Sequence, residues 1–240
     1  MSKLFEELDY CPTPIGPVSL RRRHILSLET DVHEILLGDE HLMSSLFTAS
    51  EVALARLGIA ELEEEGLDVV VGGLGLGYTA QAVLEHDRVG SLTVIEMLEP
   101  VIRWHAEELV PLEPPLKDDP RCQIRCADFF ALAASPEGFN PAQPGSQYDA
   151  ILIDIDHTPD HWLDESRAGF YSAEGLTQLA RHIRPGGVVG LWSDAAEDET
   201  VTEQLASVYQ RAWAEPVTFS NPLQDNKPFT QTVYLARKAR

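Results

Sequence analysis

A chain of 240 residues, 44% hydrophobic and 24% charged, has the makings of one large globular domain or one domain with a small appendage. Its formal net charge of −21 opposes nucleic-acid phosphates, and the dense basic runs, RRRH at 21–24 and the C-terminal ARKAR, are short. No apolar run approaches the roughly 18 residues of a membrane span, and the acidic start MSKLFEELDY has no signal-peptide core. A cytoplasmic protein with no nucleic-acid or membrane partner is therefore expected.

Taken in chain order, PIGPVSLRRRHILSLETDVHEILLGD predicts two or three strands separated by turn residues. TASEVALARLG predicts a helix, with Thr48 as N-cap and Gly58 as its stop. Residues 1–66 thus read as a small β-rich segment with a linking helix, and residues 67–240 as the main domain. From Asp68 the chain alternates strand and helix patterns: strands at 68–73, 91–97, 122–126, 148–156 and 186–193, with helical segments between them. That rhythm predicts a parallel sheet covered on both faces. PLEPPLKDDP (111–120) reads as a loop and SPEGFNPAQPGSQ (135–147) as a surface insertion. After a helix over EDETVTEQLASVYQRAW, two strands, PVTFSN and FTQTVYLAR, follow without a helix between them and must pair antiparallel. Cys11, Cys122 and Cys126 are too few for a disulfide framework, and CQIRC predicts two buried thiols on one strand.

The chemistry sits at strand ends. Gly73, Gly75 and Gly77 form a G-x-G-x-G array between a strand and a helix, where backbone can approach a ligand. Glu96, about 20 residues on, ends the second strand where a carboxylate can accept from ribose hydroxyls, with Met97 beside it. Asp128 ends the third, placed to bond an exocyclic amine or to cap a helix, and Phe129 can flank an adenine ring. LIDIDHTPD puts Asp154, Asp156 and His157 at the end of a central strand. No Lys follows the glycines, so this is not a P-loop, and the antiparallel closing pair argues against a nicotinamide dehydrogenase. The set suits an S-adenosyl sulfonium. His157 and His161 are four apart but Pro159 interrupts them, so no metal site is expected.

The stretches VVVGGLGLG, LTVIEMLEPVIRWHAEEL, DPRCQIRCADFFAL, YDAILIDIDHTPD and FYSAEGLTQLARHIRPGGVVGLWS resemble the spermidine synthase family, within the class I S-adenosylmethionine-dependent methyltransferase fold. The resemblance implies a Rossmann-like sheet of seven strands, mostly parallel with an antiparallel final strand, a small β-rich N-terminal segment, and commonly a homodimer. It implies S-adenosylmethionine or its decarboxylated form as donor, no metal, and a small acceptor such as a cationic amine. Gly73, Gly75, Gly77, Glu96, Met97, Asp128, Phe129 and Asp154 would hold the donor, with Asp154, Asp156 and His157 catalytic. Three departures stand out. Gly75 replaces the acid of the family's GGGDGG, which holds the donor amine. His157 replaces the second acid of its Asp-Ser-Thr-Asp-Pro loop. Read without gaps, His41, Ser50, Glu51 and Val52 replace its N-terminal Gln and Tyr-His-Glu. Aminopropyl transfer, methyl transfer to a small acceptor, and a non-catalytic nucleoside-binding or assembly role are the three functions this pattern leaves open.

Overall fold

The computed structural model describes residues 4–155 and 169–240. Its N-terminal part is an antiparallel meander of β1 (Phe5–Thr13), β2 (Gly16–Ile25), β3 (Thr30–Leu37) and β4 (Glu40–Ser44), paired in that order. β1 is one strand more than the sequence pattern suggested. Its acidic FEELDY lacks the apolar alternation of a strand, because β1 is a sheet edge and its acids answer cations on β2. Arg22 Nη2 lies 2.6 Å from Glu6 Oε2, and Arg21 Nε lies 3.6 Å from Glu7 Oε2. Towards β3, Arg23 bonds Glu34 and His24 bonds Asp31. The basic run is consumed inside its own sheet.

Helix α1 (Ala49–Ala60) follows. Thr48 holds the N-cap position without a side-chain bond, and the helix runs through Gly58 instead of stopping there. Gly58 serves packing: a Cβ there would come within 2.6 Å of Leu152 Cδ2, so the bare backbone lets α1 lie close on the sheet.

The large sheet is built from β5 (Leu67–Gly72), β6 (Val89–Glu96), β7 (Cys122–Cys126), β8 (Tyr148–Ile153), β9 (Ile183–Ser193), β10 (Arg211–Asn221) and β11 (Lys227–Arg237). Between them run α2 (Tyr78–Leu84), α3 (Glu99–Ala106), α4 (Phe129–Ala134), α5 (Ala173–Ala180) and α6 (Glu199–Ala206). The spatial order is β10-β11-β9-β8-β5-β6-β7. β5 to β9 are parallel, and β11 runs antiparallel to both β9 and β10. This is the expected seven-stranded, mostly parallel sheet. Its apolar face is continuous with the small sheet: Val18, Leu20, Ile35 and Leu37 share one core with Leu54, Val71 and Leu152. None of the described helices is long and apolar enough to cross a membrane.

Two expectations are corrected. The helix predicted to continue through RAW ends at Ala206, and β10 begins at Arg211. There, strand pairing with β11 along the whole of β10 outweighs local helical spacing, and Arg211 stacks 4.1 Å over the Trp213 ring. The 135–147 insertion lies mostly exposed at the surface as expected and is anchored by Phe139, which is fully buried and stacks 5.1 Å from Phe129. The C-terminal basic run is tied to the sheet, Lys238 Nζ donating to the carbonyls of Ala180 and Ile183, both at 2.7 Å. The thiols differ: burial pushes Cys122 up to about 11, whereas Cys126 is exposed on the edge strand β7.

Candidate active site

The parallel strands finish along one edge of the sheet, where ligands of open α/β folds bind. A cavity of about 300 Å³ opens there, roofed by Ile35 and Leu37 of β3 and by Leu42, Met43 and Ser44 of β4. Gly73, Gly75, Glu96, Met97, Asp128, Phe129 and Asp154 all line it, so most of the residues picked from the sequence meet around one space.

The glycine loop leaves β5 through three left-handed residues, with φ of +92° at Gly73, +48° at Gly75 and +93° at Gly77. All three are also close approaches. A Cβ at Gly73 would overlap the Asp154 carbonyl, and one at Gly77 would lie 2.7 Å from His105 Cε1. The buried His105 on α3 braces the loop, its Nε2–H donating to the Gly75 carbonyl at 2.8 Å. A carbonyl only accepts, which fixes the tautomer, and burial lowers the histidine's pKa and keeps it neutral.

Glu96 ends β6 with both oxygens engaged. Oε2 accepts from Leu74 N at 3.0 Å and Oε1 from Leu98 N at 2.7 Å. It clamps the glycine loop to the start of α3. Burial raises its pKa against these amide bonds. Met97 follows on the cavity wall. Asp128 is the N-cap of α4, its Oδ1 accepting from Phe130 N at 2.9 Å and Ala131 N at 3.3 Å. Both bonds use one oxygen, so capping leaves Oδ2 available. Phe129 packs its ring among Phe130, Phe139 and Phe170 while bordering the cavity.

Asp154 follows β8. Its Oδ2 lies 2.6 Å from Thr79 Oγ1 on α2, and that hydroxyl lies 3.2 Å from the Glu51 carbonyl. Burial pushes Asp154 up to about 6, partly offset by the Thr79 bond. Asp156 and His157 lie outside the described residues, as do Asp160, His161 and Trp162. Among the described residues no cluster of His, Cys, Asp and Glu could hold a metal ion.

No protein-family model matches the chain. It is 25% identical over 122 residues, 51% of its length, to a polyamine aminopropyltransferase of Pyrobaculum aerophilum. It is 27% identical over 154 residues, 62% of its length, to polyamine aminopropyltransferase 2 of Pseudomonas aeruginosa. The matched stretches span 39% and 41% of those two proteins. Among solved structures, a spermidine synthase in complex with the transition-state analogue AdoDATO matches with a TM-score of 0.74 at 16% identity, covering 97% of this chain and 74% of that one. The fold of the chain is spermidine synthase-like. The spermidine synthase of Thermotoga maritima matches with a TM-score of 0.73 at 16% identity, over 97% of this chain and 73% of the other.

Within this spermidine synthase-like fold, Gly75 has a structural explanation. A Cβ at Gly75 would overlap Met43 Sδ, which accepts from Leu76 N at 2.9 Å. A thioether from β4 fills the place beside the loop, and φ of +48° favours glycine there in any case. Other lining residues escaped the sequence pattern: Glu51 at the start of α1, Trp192 on β9, Asp194 just beyond it, and Gln231 on β11. Glu51 was set aside in the gapless reading, yet it lines the cavity and is buried.

Proposed function

We propose that this chain binds a decarboxylated S-adenosyl sulfonium and transfers its aminopropyl group to a small amine. The observation that carries the reading is the charge of the cavity. Glu51, Glu96, Asp128, Asp154 and Asp194 line it, with neither Lys nor Arg among the described lining residues. A donor that kept its carboxylate would bury an anion without a cationic partner, whereas a tail ending in ammonium and a cationic acceptor both meet opposite charge. The relatives named aminopropyltransferases support the same choice over methyl transfer.

Each residue then has a task. Gly73, Gly75 and Gly77 let the backbone pass close to the donor tail. Glu96 accepts from the ribose, with Met97 beside it. Asp128 accepts from the adenine amine through its free oxygen, and Phe129 forms the wall next to the ring. Asp154 takes the proton of the attacking amine, and a pKa near 6 suits a base working near neutrality. The amine lone pair forms the new N–C bond, the C–S bond breaks, and its electrons neutralise the sulfonium, so positioning carries most of the catalysis. Asp156 and His157 are assigned to the same step on sequence alone, and a homodimer is proposed from the resemblance.

Calorimetry with the two donors tests this. Tighter binding of the decarboxylated donor is expected. Preference for S-adenosylmethionine would sink aminopropyl transfer, and binding of neither donor nor of the thioether products would leave only a scaffold.

A further inference from the structure

Strand β1 is irregular at one point. Glu7 pairs with Arg21 and Asp9 with Leu20, so Leu8 is an extra residue in the ladder. In a regular strand Leu8 and Asp9 would face opposite sides of the sheet. The bulge re-aims them. Leu8 packs against the core, and Asp9 reaches helix α3. Asp9 Oδ2 accepts from Trp104 Nε1 at 2.6 Å, from Arg103 Nη2, and from Cys11 Sγ at 3.2 Å. Trp104 is fully buried, and its indole N–H is a donor that needs a partner. That bond is the main reason the Asp9 carboxyl is held below its usual range, so the acceptor is a carboxylate and the bond is charge-assisted.

The next residue on α3 is His105. Its Nε2–H donates to the Gly75 carbonyl at 2.8 Å, and its Cε1 fills the space that a Cβ at Gly77 would take. Neighbouring side chains on a helix project about 100° apart. Trp104 therefore faces the small sheet while His105 faces the glycine loop. The two cannot move independently, so the seating of Trp104 against β1 sets the reach of His105 to the loop. Neither they nor Asp9 belong to the described residues that line the cavity.

We propose that Asp9 is a positioning residue for the donor: from outside the cavity it holds the glycine loop in its binding shape, acting through Trp104 and His105. This rests on the reading that the loop passes the donor tail. The small sheet then does more than roof the cavity. It tunes the affinity of the nucleoside end from a strand that does not line the site. Loss of the Asp9 bond would let α3 shift and draw His105 from the Gly75 carbonyl. The loop, with three left-handed glycines, has little stiffness of its own to resist that.

The test measures 5′-methylthioadenosine binding to the full chain by calorimetry, at a temperature where thermal melts show each variant folded. Asp9→Ala is expected to weaken binding about threefold to thirtyfold, the range for substitutions that act on a site through intervening contacts. His105→Ala is expected to weaken it at least as much. His105→Gln, whose amide nitrogen can donate to the same carbonyl, is expected to recover most of that loss. Adding Asp9→Ala to His105→Ala is expected to cost nothing further, because the route is already cut. A role confined to stability would lower the melting temperature and leave the affinity of the folded protein unchanged, and that result overturns the proposal. Additive losses in the double variant, or no recovery with Gln, overturn it as well. Where Asp9→Ala does not fold, Trp104→Phe removes the same bond and keeps a ring, with the same outcomes expected. Absence of binding by the wild type overturns the donor reading and the proposal with it, whereas wild-type binding with unchanged variants overturns the proposal alone.

Discussion

The two ends of the cavity are built from different materials. The nucleoside end is largely backbone and strand termini: a left-handed glycine loop, and acids that follow β6, β7 and β8 in sequence and in space. The other end is side chains delivered by α1, β9 and β11, whose bonds join residues 142 and 181 positions apart. A site made of strand ends is fixed by the sheet that makes it. A site assembled from distant side chains can change its preference while the sheet stays as it is, and the departures at Ser50 and Glu51 fall on that second end, whereas Gly75 falls on the first.

The sharpest break with this picture would come from Asp154, where the two ends meet. Asp154→Asn is expected to slow transfer about 10²- to 10⁴-fold while leaving thioether binding in place. Wild-type rate should climb as pH rises through about 6, as the carboxyl ionises. Stability moves the opposite way. A carboxyl raised on folding favours the fold while protonated, so this contribution is full below about pH 4 and is lost as pH rises through about 6. Thermal melts at pH 8 should show the Asn variant more stable by roughly 2 kcal/mol, and a less stable variant would count against the burial argument.

Glu96→Ala separates the two ends. It strands the amides of Leu74 and Leu98, at about 1–3 kcal/mol each, and removes the ribose acceptor. Thioether affinity should fall about tenfold to a hundredfold, with the preference among amines kept. Equal loss of both would merge the two ends into one unit.

The smallest effect concerns the glycine loop. Gly75→Asp restores the family's acid but meets Met43 Sδ and a left-handed φ. A cost of about 1–3 kcal/mol in urea unfolding is expected, with about 1 kcal/mol recovered when Met43→Ala is added. Additive costs would show that Met43 does not occupy the acid's place.

The contrast also explains what was legible in the sequence. β5, β6, β8 and β9 announced themselves because buried parallel strands read as apolar runs, and each ends in a glycine or an acid or has an acid next in the chain. β1 was silent because an edge strand paired to arginines reads as an acidic tail. Trp213 looked helical because its spacing from the preceding apolar residues is helical, and only pairing with β11 decides it. Glu96 and Asp128 were visible as strand-end acids, although their bonds to the glycine loop and α4 were not. Ser50, Trp192 and Gln231 had no local signature, since their meaning lies in one shared hydroxyl.

Gly58 gives this arrangement an unexpected gauge. It presses α1 against Leu152, and the same helix carries Ser50 and Glu51 two turns earlier. A methyl group at 58 would lift the helix off the sheet and carry both residues with it. The placement of both residues is thus set by an empty position two turns along the same face of the helix.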